Sequence, residues 1–121
     1  MTEQTYAKIC KYQSDYQMVA EQSAVLNSQM GALEQELAEL WEYLQSNSND
    51  LKSKQKYNSI RQRINRLANQ LRHNDIKLAS IQRQLTIENQ RAEQQNQRLL
   101  QQQQKRLMSA YRKELRRMGY N

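Results

Sequence analysis

The chain has 121 residues, no proline, no phenylalanine and two glycines, with a net charge of +7 and a mean hydropathy of −1.11. One small domain is what this length accommodates, and so polar a composition excludes a thick globular core. Chains of this kind are either disordered or long helices that bury a narrow seam, and the abundance of Ala, Glu, Lys, Leu, Arg and Gln favours the helices.

The charge is unevenly distributed. Residues 1–50 carry two lysines against eight acids, a net −6, whereas residues 51–121 carry 17 Lys/Arg against four acids, a net +13. No apolar run approaches the roughly 18–20 residues that span a bilayer. The start lacks the charged and apolar regions of a secretory signal. A single cysteine, Cys10, has no partner for an internal disulfide. These features together point to a cytoplasmic protein.

The first element is read from Ile9, Tyr12, Tyr16, Val19, Ser23, Leu26, Met30, Leu33, Leu37, Leu40 and Leu44. They follow one another at alternating steps of three and four. A seam of this spacing predicts a coiled-coil helix over about residues 3–46 with a left-handed supercoil. Ser23 is its weak layer. Tyr12 and Tyr16 are expected in a wider layer of the core, and Trp41 is expected to cover the core beside the turn. Gly31 lies off the seam, where its missing side chain would let a neighbour approach closely.

The pattern stops at Ser46-Asn47-Ser48-Asn49-Asp50, whose short polar side chains hydrogen-bond nearby backbone and make turns and caps. The turn is set at 46–51, with Asp50 or Ser53 as the next N-cap. The seam resumes at Tyr57, Ile60, Ile64, Leu67, Leu71, Asn74, Leu78, Ile81 and Leu85, again at steps of three and four. This predicts a second helix over about 52–118. Asn74 is either a register device or a wet layer.

Two such seams joined by a short turn predict an all-α fold: one antiparallel two-helix coiled-coil hairpin over residues 1–121. The charges agree. Glu34, Glu36, Glu39 and Glu42 precede the turn, and Lys52, Lys54, Lys56, Arg61, Arg63 and Arg66 follow it, so folding back sets opposite signs alongside. Each exposed pair is worth at most about 1 kcal/mol, which selects an orientation more than it stabilises one. The rival is a parallel dimer of the whole chain with the turn as a stutter. Pairing of hairpins into a homo-oligomer is open as well, because two helices bury a thin core.

From Glu88 the second seam decays through Ala92, Gln95, Leu99, Gln102 and Arg106, and eight of the fifteen residues from Gln90 to Gln104 are glutamine. Folding about the turn brings position 3 beside position 95, so the second helix is the longer one and overhangs. In the overhang, Leu99 to Tyr120, a new apolar stripe appears in a shifted frame: Leu100, Leu107, Tyr111, Leu115 and Met118. Residues 105–121 carry six basic side chains against Glu114 alone, and Gly119 suits a C-cap. The expected partner-binding element follows. Leu107, Tyr111, Leu115 and Met118 give contact area, and Lys105, Arg106, Arg112, Lys113, Arg116 and Arg117 orient it towards an acidic protein surface. The alternatives are a solvated helix end suited to the helix dipole, an anionic membrane and nucleic acid, although the acidic first half would repel phosphate.

No catalytic constellation is visible, so no enzyme, metal or cofactor is expected. His73 is the only histidine and sits in a polar run, metal ligation needs several converging ligands, and the glycines form no phosphate-binding loop. The seam Ile9–Leu44, the turn SNSND, the seam Tyr57–Leu85 and the tail KRLMSAYRKELRRM together resemble the FliJ/YscO group of type III secretion stalk proteins. The resemblance implies a two-helix stalk in the central pore of a hexameric secretion ATPase, linking it to the export gate. A phage or virion scaffolding or internal protein, docking through a basic C-terminal helix, is the alternative from another class.

Overall fold

The computed structural model describes residues 1–119. Two helices account for nearly all of them: α1, Glu3–Ser46, and α2, Leu51–Arg117. The fold is all-α, with the two helices packed against each other as a helical hairpin. Their residues group into two compact units, residues 14–82 and residues 1–13 with 83 onward.

The unit of residues 14–82 holds the turn. Asn47 closes α1 by donating its side-chain amide to the Tyr43 carbonyl (3.0 Å), and the Asp50 N–H donates to the Asn47 carbonyl (3.2 Å). Asp50, not Ser53, caps α2. Its Oδ1 accepts the Ser53 N–H at 3.2 Å and its Oδ2 accepts the Ser53 hydroxyl at 2.9 Å. That satisfies a backbone donor that the first turn of a helix cannot. Leu33 and Ile60 are buried, and the other seam positions from Val19 to Leu44 and from Tyr57 to Ile81 are at least half-buried. In the middle lies a polar layer, where the Asn74 amide donates to the Ser23 hydroxyl at 3.2 Å, both residues buried. Ser23 and Asn74, the two weak layers of the sequence pattern, face each other and satisfy each other.

Two expectations need correction here. Tyr16 is 37 % exposed while Asp15 is half-buried, so the ring sits at the rim of the seam instead of filling a layer. An amphipathic tyrosine can cover apolar surface there and keep its hydroxyl in water. Gly31 is not a point of close approach, because a Cβ built there meets nothing within 4 Å. Of the charges flanking the turn, Lys56 and Glu36 form a bridge (3.2 Å) between two exposed side chains, a weak contact in water.

In the other unit the start of α1 lies against α2. Thr2 caps α1 by accepting the Thr5 N–H at 3.2 Å. Its own N–H donates to Gln95 Oε1 (2.9 Å), and the Met1 amino group donates to Asn96 Oδ1 (3.0 Å). Thr5, Ile9, Leu85, Glu88 and Ala92 are buried, with Glu88 only 3 % exposed. The loss of apolar character after Leu85 is therefore not a loss of packing. Glu88 Oε1 accepts from Arg91 at 2.9 Å, but Oε2 is buried without a hydrogen-bond partner.

From Asn96 to Glu114 every residue is exposed. α2 ends with Arg116 and Arg117 in its last turn, where cations suit the dipole. Gly119, at φ +88°, closes it by donating its N–H to the Arg116 carbonyl at 3.1 Å. Tyr120, which ends the basic stretch of the sequence, lies outside the described residues.

Two outcomes follow for stability. Gly31→Ala raises the free energy of unfolding by about 0.5–1 kcal/mol, because an exposed helix interior favours alanine by that amount. Glu88→Leu raises it by about 1–3 kcal/mol, because the buried, half-satisfied carboxylate opposes folding. Urea titration of each variant checks both, and a lowered midpoint for either contradicts its reading.

Candidate functional site: the C-terminal segment of the second helix

In the segment that follows Asn96, side-chain direction is set by the helix alone. At 3.6 residues per turn Leu100, Leu107, Tyr111, Leu115 and Met118 fall within an arc of about 80°. Leu107 is 70 % exposed, Tyr111 62 % and Met118 64 %, while Leu115 is half-buried. The helix thus brings the four expected contact residues onto one side.

Met108 belongs with them and was missed by the sequence pattern. It is exposed and widens the apolar arc to about 100°, the width of a stripe that ordinarily faces a core. It lies at the edge of the arc, outside the steps of four, four and three that join Leu107, Tyr111, Leu115 and Met118. Met108 lines one shallow concavity together with Lys105, Arg112, Lys113 and Arg116.

The six basic residues do not share a single line. Lys105, Arg112 and Arg116 run beside the apolar arc, whereas Arg106, Lys113 and Arg117 lie further round the helix. All six are exposed. Arg117 Nε is 3.3 Å from Glu114 Oε2, also exposed. The segment is therefore an apolar stripe with a cationic border, exposed from Asn96 to Glu114. This arrangement suits docking on a surface with an apolar furrow and acidic edges.

A second group of aromatic side chains stands at the turn, with Trp41 and Tyr43 exposed and Tyr57 half-buried. The Trp41 and Tyr57 rings lie 6.1 Å apart and tilted by 39°, and Arg61 Cζ sits 6.0 Å from the Tyr57 centroid. Trp41 covers Tyr57 but remains largely exposed. Tyr43 donates its hydroxyl to Asp50 Oδ2 at 3.0 Å. The Ser53 N–H and hydroxyl, with the Tyr43 hydroxyl, hold the Asp50 carboxyl below its ordinary range. The same hydrogen bond to Asp50 raises the Tyr43 phenol.

Among the described residues no three His, Cys, Asp or Glu side chains come together as a metal site, His73 is exposed, and Cys10 is free and exposed. No described helix is long and apolar enough to cross a membrane. Compared with known proteins, the chain matches no family model, no curated protein and no solved structure.

The Asp50 cap gives the turn a pH dependence of definite sign. Its folded pKa is depressed, so its contribution to stability is present above the unfolded value and is lost as pH falls through the folded one. Wild-type unfolding midpoints are expected to fall across that acidic window more steeply than those of Asp50→Asn, which cannot titrate there. Parallel slopes for the two proteins would exclude the cap as the source.

Proposed function

We propose that the chain is a non-catalytic interaction protein, a helical hairpin that acts in the cytoplasm by presenting the C-terminal segment of α2 to an acidic protein surface. The observation that carries the reading is the uninterrupted exposure from Asn96 to Glu114 of a helix with an apolar arc and six basic side chains close by. An apolar stripe of that width left in water favours being covered, and the cations select an acidic partner and speed the encounter. Tyr111 and the arginines are the residue types that dominate binding energy at such contacts.

The more specific role is that of a type III secretion stalk linking a hexameric ATPase to the export gate. The support for it is the layout the chain shares with the FliJ/YscO group: a hairpin of unequal helices with a basic end.

The test uses the full chain and a Leu107→Ser/Tyr111→Ser/Met118→Ser variant as parallel baits in extract of the native host, read by mass spectrometry. All three positions are exposed, so the variant unfolds within about 0.5 kcal/mol of wild type for each change. Recovery of a hexameric ATPase or an export-gate protein by the full chain, with about tenfold or greater loss in the variant, is the expected result. Equal recovery by both baits removes the segment from the contact. Recovery of coat proteins instead replaces the stalk role with a scaffolding one. Retention of nucleic acid that weakens steeply with salt replaces docking on protein.

A further inference from the structure

The unit of residues 14–82 carries a groove that the C-terminal segment does not account for. Three concavities, of about 320, 790 and 460 Å³, lie between α1 and α2. They are repeats of one another. Met18, Val25 and Ala32 occupy the same place in each, seven residues apart, as do Val19, Leu26 and Leu33 on the floor. From α2 the equivalents are Leu67, Asn74 and Ile81 on the floor and Arg66, His73 and Ser80 on the wall. A seven-residue repeat returns to the same side of a supercoiled pair, so the three are one continuous groove along a single face. Its rim is apolar where a two-helix fold would ordinarily place polar residues: Met18 is 53 % and Val25 57 % exposed.

The charges on the two walls decide what fits. The α1 wall contributes Asp15 and Glu21 and no basic residue, whereas the α2 wall contributes Arg63, Arg66, His73 and Lys77 and no acidic one. A face that is acidic along one edge and basic along the other is complementary to itself. We infer that this groove is covered by the same groove of a second copy of the chain, the two copies forming an antiparallel four-helix bundle about a two-fold axis parallel to the helices.

That axis lays α1 of each copy over α2 of the other, with neighbouring helices antiparallel, and keeps the level of every residue. Glu21 of one copy then faces Lys77 of its partner, and Asp15 approaches the same wall. Val25 and Met18 close over the seam from both sides. The two Ser23–Asn74 layers meet at one level, where a shared polar layer fixes the register. A two-fold axis across the helices would set acidic wall on acidic wall and basic on basic, which like-charge repulsion opposes. From Asp15 to Leu33 the groove runs for about 27 Å, a small patch beside the usual stable interface, and because area does not fix affinity association is followed up to high chain concentration.

The inference rests on the groove and is independent of the docking segment. Sedimentation equilibrium of the full chain is expected to show twice the 14.5 kDa protomer mass. Val25→Lys is expected to weaken the dimer about tenfold or more, by setting an ammonium group in the closed wall, with helix content unchanged. Glu21→Lys and Lys77→Glu each place like charges across the interface, so each alone dimerises more weakly. A mixture of the two restores dimers, each containing one copy of either variant. A chain still monomeric at about 100 µM, which leaves no dimer tighter than roughly that dissociation constant, overturns the inference. So does a dimer indifferent to Val25→Lys, or a mixture that behaves as its components do. A dimer abolished by Leu107→Ser/Tyr111→Ser would place self-association on the C-terminal segment and overturn it as well, whereas a dimer kept by that variant supports the groove.

Discussion

Everything in this molecule depends on one constraint: two helices share a single line of contact. A helix surrounded by several neighbours can enclose a side chain on all sides, but a helix with one neighbour encloses it on one. Among the described residues five apolar side chains are buried, and none of them is sealed completely. The apolar contribution is therefore spread thinly along the seam instead of concentrated in a core. This is why single polar layers, caps and turn residues carry weight here that a globular fold would dilute.

The polar layers show how the constraint is met. Ser23 with Asn74, and Thr5 with Gln95, are pairs in which a side chain on one helix hydrogen-bonds a side chain on the other. A shift of register would leave each of these groups buried and unsatisfied, at about 1–3 kcal/mol apiece. The apolar positions alone, being nearly interchangeable leucines and isoleucines, would discriminate far less between registers. Specific alignment thus comes from the residues that contribute least to burial. Glu88 is the exception, a buried carboxylate with one oxygen unmatched, and it sits where the sequence has stopped supplying apolar residues.

The helix bounds, the turn and the pairing of α1 with α2 were legible because each has a local or periodic cause, whereas the cap was legible only as Asp50 or Ser53. Steps of three and four survive single polar interruptions, and short polar side chains in series break a helix wherever they occur. What was not legible has a different origin. Glu88, Ala92 and Gln95 look like a fading seam, yet they pack, because their burial is imposed by Thr5 and Ile9 across from them and not by their own hydropathy. Tyr16 has the right spacing but sits at the rim, with Asp15 half-buried beside it. Met108 was hidden because it lies at the edge of the arc, outside the steps of four and three that join Leu107, Tyr111, Leu115 and Met118. The groove along residues 15–33 and 63–81 was invisible for the same reason that it is informative: its rim residues, Met18 and Val25, lie outside the seam pattern.

The bare end of α2 has a consequence for how long the chain lasts. A helix segment with no neighbour relies on its own backbone hydrogen bonds, without the tertiary packing that supplies most helical stability in proteins. Local opening of such a segment is correspondingly frequent compared with opening of the paired helices. Lys105, Arg106, Arg112, Lys113, Arg116 and Arg117 are then six points at which a protease that cuts after basic residues finds accessible backbone. A bound partner that covers the apolar stripe also holds those bonds closed. Under the proposed docking role, protection of the segment from the protease would therefore track occupancy of the stripe.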